Sequence, residues 1–565
     1  MQNEEIIELF RLTASLMELH DENPFKIKAY TNAVYYLEKI NDSLNTLSVN
    51  QLQQLEGIGK SFALKIEEII STGSFKELNE YLSKTPAGVI AMLNIKGLGP
   101  KKIKTLWKEQ GIKSPEELLI ACETNRISGL KGFGEKTQEN IKQQLYFLQS
   151  QQDKHLYASI ENTALELLNT FIEAGISNIA LTGQVKRKLE VIDYIQYVVG
   201  SSHPEQIFAT LEKAYELKQN LSQSGPFVWR GLHTPTSAKV EVKIYPEKFF
   251  SGMVFIHSAS QEHLSYQVND KQTLLEYASS NSFASEEEVY DSLGFQYIPP
   301  EAREGITEIY RAKENKMRSL IELSDLKGIL HNHTTYSDGK HTLEQMALYC
   351  KELGYQYLGI TDHSQSASYA GGLQPYEIEQ QHKEIELLNE KLAPFKIFKG
   401  IESDILTDGS LDYSPEVLAS FDFIVASIHS SLKMDIHKAT QRLIKAIENP
   451  YTTILGHASG RLLLKREGYP IDYKKVIDAC VANKVIIEIN ANPRRLDMDW
   501  RWVRYAMDKD VYISINPDAH EMQGYHDMRY GVYVGRKALL TKEKTFNALP
   551  LQEVERWFKM KNKKN

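Results

Sequence analysis

At 565 residues, with 42% hydrophobic and 25% charged residues and a formal net charge of −8, the chain is long enough for several domains and too acidic for wholesale coating by nucleic acid, so any such contact must be local. Three cysteines, Cys122, Cys350 and Cys480, stand far apart with no Cys-x-x-Cys pair and read as small buried side chains in a reducing compartment. No apolar run reaches the ~18 residues of a membrane span, and the opening MQNEEIIELF lacks the basic and apolar regions of a signal peptide, so a soluble cytoplasmic protein with no membrane partner is expected.

Residues 1–150 read as helical with short glycine-containing turns. Three segments repeat: LEGIGKSFALKI (55–66), IKGLGPKKIKTL (95–106) and LKGFGEKTQENI (130–141). Each has an apolar residue, a spacer, Gly-x-Gly and then a helix. The pairs Gly57/Gly59, Gly97/Gly99 and Gly132/Gly134 allow turns that a side chain would block. The free N–H groups opening each following helix suit a phosphate oxygen. From 84 to 150 there are 11 Lys+Arg against 6 Asp+Glu, a local excess of five positive charges that includes Lys101, Lys102 and Lys136. The pattern resembles the helix-hairpin-helix motif of DNA repair proteins, which implies salt-sensitive, sequence-blind contacts to a DNA backbone. Upstream, ENPFKIKAYTNAVYYLEKI (22–40) resembles the start of the small N-terminal domain of family X DNA polymerases, with Lys26 and Lys28 at its basic positions. In some members a lysine after the first hairpin attacks an abasic sugar; Lys65 falls there, and an exposed helical lysine is the expectation.

Residues 151–315 mix strands and helices, as the polymerase palm and thumb would. A two-metal nucleotidyl transferase needs clustered carboxylates. The family pattern is Gly-Ser, basic residues, Asp-x-Asp on a strand and a third Asp on a later strand. LTGQVKRKLEVIDYIQYVVGS (181–201) keeps Gly183 but has Gln184 for the serine and Tyr194 and Gln196 for the aspartates; Asp193 is one residue out of register. AKVEVKIYP (238–246) offers Glu241 for the third Asp, and LGFQYIPPEAREG (293–305) resembles the family's closing segment. The resemblance implies a retained scaffold with a degenerate polymerase site. The polar stretch 299–316, opened by two prolines, reads as a connector, and the closing FKMKNKKN as a frayed basic tail.

From 325 to 565 short apolar strands alternate with amphipathic helices, and ten of the sixteen histidines lie there. KGIL runs into His331 and His333; YQYLGIT ends before His363; FKIFKGI ends at Glu402; FDFIVASI ends at His429; TTILG ends at His457; VIIEI ends at Asn490; VYISI leads to Asp518 and His520. Seven strand–helix units imply a parallel barrel, whose functional residues gather at the C-terminal strand ends. Adding Asp338 from HNHTTYSDG, the strand ends deliver metal-type ligands to one place.

HNHTTYSDG, TDHS, GIESDI, SIHSS, GHASGR and NPDAH resemble the motifs of the polymerase-and-histidinol-phosphatase (PHP) superfamily. The resemblance implies three divalent ions: one held by His331, His333, Glu402 and Asp518, a second by Glu402, His429 and His457, and a third by Asp338, His363 and His520. Imidazole with carboxylate suits Mn²⁺, Zn²⁺ or Fe²⁺ better than Mg²⁺, and the resemblance implies Mn²⁺ foremost. Such ions activate a shared water and clamp phosphate oxygens, with Glu402, His429 and Asp518 central to catalysis. Arg461, Arg494 and Arg495 are candidates to steady the ester, and Ser430 reads as structural.

The fold class expected is therefore multidomain: an all-α helix-hairpin-helix region, an α+β degenerate palm and thumb, and a C-terminal (β/α)7 PHP barrel. The function implied is a DNA-binding, Mn²⁺-dependent 3′→5′ exonuclease in DNA repair, with abasic-site cleavage as a further activity and polymerisation lost. A small-molecule phosphomonoesterase and a non-catalytic DNA-binding scaffold are the alternatives; the hairpins argue against the first and the intact ligand set against the second.

Overall fold

The computed structural model describes residues 3–38, 40, 44–95, 97–213 and 216–562, in two compact units, 1–152 and 153–565. The first unit is helical throughout, as its periodicity predicts. Phe10, Tyr30, Phe62 and Phe75 cluster in its core with ring centroids 5.0–6.4 Å apart, Phe62 edge-on to Phe10 and Tyr30, and Tyr30 stacked on Phe75.

In the second unit, residues 153–315 carry a five-stranded sheet: β1 (Ile179–Thr182), β2 (Ile195–Gly200), β3 (Leu217–Gln219), β4 (Val228–His233) and β5 (Ala238–Tyr245). The spatial order is β1-β2-β5-β4-β3, and only β2 and β5 run parallel. Helix Tyr157–Glu173 covers one face; Tyr197 donates to Ala164 O at 2.7 Å and stacks edge-on against Phe171.

The stretch 299–316 is not a loose connector. Arg303 is fully buried, donating to Ile298 O and Glu286, and Glu308 sits buried against His263 at 2.7 Å. Glu304 receives Arg187 from the sheet region and the fully buried Lys537 from the barrel. Those partners lie 117 and 233 residues away, which is why the stretch looks solvent-exposed in sequence.

The barrel strands are β6 (Gly328–Ile329), β7 (Tyr357–Ile360), β8 (Lys396–Asp404), β9 (Phe423–Ser427), β10 (Ile454–Leu455), β11 (Ile486–Asn490) and β12 (Ile513–Asn516). All seven are parallel and pair in chain order. β7, β9, β11 and β12 are buried at every position, as strands covered on both faces must be. Between β12 and β6 the ladder is replaced by an Asn332–Ala519 bridge and by two asparagines. Asn547 donates to both Gly328 O and Ile515 O, while Asn516 accepts from Leu330 N. These amide groups satisfy the backbone that an open edge would leave unpaired, so the barrel is nearly closed.

Five of the seven strands contribute to one interior apolar cluster, which includes Tyr357, Phe398, Phe423, Val425, Ile454 and Ile486. Its floor is helix Leu551–Asn562, whose Phe558 lies 5.1 Å from Phe398 and stacks on Phe423 at 5.2 Å. The tail expected to fray is thus ordered through Asn562, because Phe558 plugs the barrel; residues 563–565 lie outside the described residues.

Candidate functional site

The strand ends bring all nine predicted ligands together. His331 and His333 leave β6, His363 follows β7, Glu402 sits inside β8, His429 and His457 follow β9 and β10, and Asp518 and His520 follow β12. Glu402 is the hub. Its Oε1 lies 2.9 Å from His457 Nε2, 3.2 Å from His429 Nε2 and 3.3 Å from His331 Nε2; its Oε2 lies 3.0 Å from His363 Nδ1. Asp518 Oδ1 lies 3.1 Å from His333 Nε2 and 3.5 Å from His331 Nε2. Asp338 Oδ1 lies 3.4 Å from His520 and 3.6 Å from His363.

Four overlapping groups could hold an ion: His333–Asp338–His363–His520, His331–Glu402–His457, His331–His333–Asp518 and His363–Glu402–His429. His331, His333, His363 and Glu402 each belong to two of them, a more shared arrangement than the predicted division. Within the cluster His331 Nε2, His333 Nδ1, His363 Nδ1, His457 Nδ1 and Glu402 Oε2 are buried without a hydrogen-bond partner. So many orphaned polar atoms in one cluster are costly unless something satisfies them. Imidazole nitrogen and carboxylate oxygen are the donors a divalent transition ion takes, so the residues fit such a group.

Electrostatics point the same way. Burial opposes ionisation of Glu402, yet His429, His331 and His363 hold it well below the usual carboxylate range. Burial likewise opposes Asp518 and Asp338; His331 and His333 hold Asp518 down, and His520, His333 and His363 hold Asp338 at about 2. Against burial, Glu402 and Asp404 raise His429 to about 10, and Asp338 and Asp518 raise His520 to about 9. Burial, then His520 and His363, push His333 down to about 3. Imidazolium charge thus balances the carboxylates, a role that bound cations take over by displacing ring protons.

A second ring of residues orients the ligands, and sequence reasoning missed it. Glu488, in the middle of β11, accepts from or pairs with His331 Nδ1 (2.7 Å), His457 N (3.0 Å), Asn490 and Asn516. Asp404 pairs with His429 Nδ1. Asp362 accepts from Thr334, Ser337 and Gln381 and so fixes the loop between His333 and Asp338. Carboxylates behind histidine ligands set tautomer and ring direction. The signals were the unexplained acid in VIIEI and the DH and ESD pairs.

The arginines separate. Arg495 reaches the cluster, its Nε 3.5 Å from Asp518 Oδ2. Arg461 does not: it donates to Arg495 O at 2.8 Å and to Leu496 O and pairs with Asp499, so it braces the loop that carries Arg495. Arg494 is exposed. Ser430 offers its carbonyl to Arg442, in keeping with a structural role. The open side of the cluster is marked by Asp338 and His520, whose side chains are about one-third exposed, and by Tyr369, which is 70% exposed with its ring 6.2 Å from His363.

The polymerase positions look different. Register pairs Gln196 with Glu241 across β2 and β5, adjacent as the family's carboxylates would be. Glu241 is buried, but its oxygens take Gln196 Nε2 (2.8 Å), Arg230 Nε (2.7 Å) and Lys243 Nζ (3.1 Å). Asp193 is locked to Gln184 by a reciprocal pair of hydrogen bonds. Among the described residues no ion-holding group includes this region.

In the first two hairpins Gly57 and Gly97 have φ of 72° and 93°, and Gly59 and Gly99 cap helices Lys60–Thr72 and Pro100–Lys104. The third differs: Gly132 and Gly134 both have positive φ, and helix Gly134–Gln151 starts on the second glycine. Around Gly59, Gly97, Gly99, Gly132 and Gly134 there is open space where a ligand backbone can approach, whereas a Cβ at Gly57 would strike Tyr36. Lys101 and Lys136 are exposed; Lys102 is half-buried, reaching Gly97 O at 3.5 Å. Lys65 is not an exposed helical lysine. It pairs with Glu77 at 2.7 Å and donates to Tyr30 at 2.6 Å over the aromatic core.

Residues 1–75 match the family described as a helix-hairpin-helix domain, 89–145 a SAM-like helix-hairpin-helix tandem, and 330–492 the PHP domain. The "DNA polymerase/3'-5' exonuclease PolX" of Bacillus subtilis (strain 168) is 34% identical over 573 residues, spanning 99% of this chain and 100% of that protein. A "Probable phosphatase" of Thermoanaerobacter sp. (strain X514) is 27% identical over 252 residues, 42% of this chain and 98% of its own length. With relatedness at that level along its whole length, and with helix-hairpin-helix repeats, a five-stranded palm-like sheet and a PHP barrel in the same order, the chain belongs to the PolX family of bacterial family X DNA polymerases with a C-terminal PHP domain.

Proposed function

We propose that this protein is a DNA-binding, metal-dependent phosphodiesterase that removes nucleotides from a 3′ end, and that its polymerase activity is lost. The observation that carries the reading is the buried nine-ligand cluster around Glu402, with its orphaned ring nitrogens, set against a Glu241 neutralised by the protein's own cations. Three bound ions, Mn²⁺ foremost, would supply a nucleophile from water and neutralise the phosphate oxygens. Glu488 and Asp404 orient His331 and His429 for that task. Arg495 directs its guanidinium at the non-bridging oxygens, held in place by Arg461. Tyr369, exposed at the rim, offers a face on which the terminal base stacks. The hairpin glycines with Lys101, Lys102 and Lys136 hold the DNA backbone without reading sequence. The half-buried Lys65 is committed to Glu77 and Tyr30, which disfavours it as an amine nucleophile, so abasic-site cleavage belongs to the barrel.

The match of the barrel to a probable phosphatase favours a second reading, hydrolysis of a small phosphomonoester by the same cluster. A 5′-labelled primer–template incubated with the full chain, Mn²⁺ and dNTPs separates the readings. Shortening of the primer is expected. Extension would overturn the loss of polymerisation, and an untouched primer beside brisk phosphomonoester hydrolysis would favour the second reading.

A further inference from the structure

We propose that a cleft at the opposite end of the barrel from the metal-type cluster binds a phosphate-bearing anion. The cleft encloses about 640 Å³ between residues 311–318, helix Trp500–Asp508 and residues 539–544. Thr545 bridges to Ile513, the first residue of β12, whereas Asp518 follows the last, so the two sites lie at opposite strand ends.

Five cations line the cleft, Arg311, Lys316, Arg318, Arg504 and Lys544, against two acids, Glu314 and Asp508. The excess of three positive charges stands out in a chain of net charge −8. Lys316, Arg504 and Lys544 have acidic partners: Glu314 at 2.7 Å, Asp508 at 2.5 Å and Asp510. Arg311 and Arg318 make no ion pair or side-chain hydrogen bond among the described residues, although Glu543 lies near enough to Arg318 to feel its charge, so two guanidiniums line the cleft without a hydrogen-bonded partner.

The second observation lies deeper. The Arg504 side chain is 8% exposed, and its Nε, fully shielded from water, has no hydrogen-bond partner. A buried guanidinium N–H left unpaired is a costly arrangement that an oxyanion relieves. Burial, then the nearby Arg311, push Arg504 below its ordinary value, with Asp508 opposing them. Three guanidiniums lining one concavity match the several oxygens of a phosphate better than the two of a carboxylate. The volume is that of a small-ligand pocket.

The test is isothermal titration of the full chain with pyrophosphate in chelator, which keeps metal-dependent binding out of the measurement. One pyrophosphate per chain is expected. Arg311→Glu with Arg318→Glu, the first half-buried and the second exposed, and neither in an ion pair or side-chain hydrogen bond, should raise Kd about tenfold or more without lowering Tm. Arg504→Gln should do the same; since it is buried, the surface pair carries the test if Arg504→Gln misfolds. Glu402→Gln should leave pyrophosphate binding unchanged. Displacement of pyrophosphate by single-stranded (dT)10 would assign the phosphate to a DNA strand, and failure to displace it would assign a free phosphoanion; either supports the site. No saturable binding, an unchanged Kd in the surface double variant, or loss of binding in Glu402→Gln would overturn it.

Discussion

Two buried glutamates on parallel strands have opposite fates. Glu241 in the palm-like sheet and Glu402 in the barrel are both at least nine-tenths buried, and both sit where a metal-dependent enzyme of their fold keeps a carboxylate. Glu241 is surrounded by Arg230, Lys243 and Gln196, groups that cannot give up their charge or their hydrogen bonds at neutral pH. Glu402 is surrounded by His331, His363, His429 and His457, whose imidazole nitrogens are metal-type donors. A buried carboxylate alone therefore says little; the protonation chemistry of its neighbours decides whether a cation can enter.

The largest effect should come from breaking the barrel hub. Glu402→Gln removes charge from two of the four ion-holding groups at once, while His429→Ala touches one. Degradation of a labelled 3′ end should fall at least about 100-fold in Glu402→Gln, with more bound metal lost than in His429→Ala. Equal metal loss in the two would show that Glu402 is not shared. Next in size is Arg495→Ala, expected to lower kcat about 10- to 100-fold while metal content holds, since one preorganised donor to the phosphate disappears; a change in KM alone would assign it to binding. Smaller again is Lys101→Glu with Lys136→Glu in the first unit. DNA affinity at low salt should drop about tenfold and the salt dependence should flatten, because each lost phosphate contact releases fewer counterions. Undiminished affinity would remove the hairpins from the DNA interface.

The ligand cluster was legible because each motif puts a chemically restricted residue at a strand end, and seven such ends converge wherever a barrel closes. The residues that aim the ligands were not. Glu488 looks like one acid in an apolar strand until the fold carries it 157 residues to His331. Arg461 and Arg495 look alike in sequence, and only the loop geometry makes one a brace and the other a contact. The packing of the connector 299–316 was hidden for the same reason: Glu304 is paired, but with the distant Arg187 and Lys537. The all-helical first unit and the seven parallel strands followed directly from periodicity, which is a local signal.

A finer contrast lies in the histidines. His257, hydrogen-bonded to Tyr245 at 2.8 Å in the palm-like region, is pushed to about 4 by burial and then by Lys243. Its folded value lies below the unfolded value of about 6.5, so the stability it contributes is present above pH 6.5 and is lost as pH falls through 4. His429 in the barrel has the opposite sign, raised to about 10 and charged at neutral pH. Urea unfolding between pH 7 and pH 4 should show a shallower loss of stability in His257→Gln than in wild type; identical slopes would mean that His257 is not held neutral.

The contrast between the two glutamates is tested most directly by elemental analysis of wild type, Glu402→Gln and Glu241→Gln after Mn²⁺ loading, paired with 3′-end degradation of the same samples. Wild type and Glu241→Gln should retain equal metal and equal degradation, and Glu402→Gln should lose most of both. Metal or activity lost in Glu241→Gln but kept in Glu402→Gln would place the metal chemistry in the palm-like sheet and contradict the account.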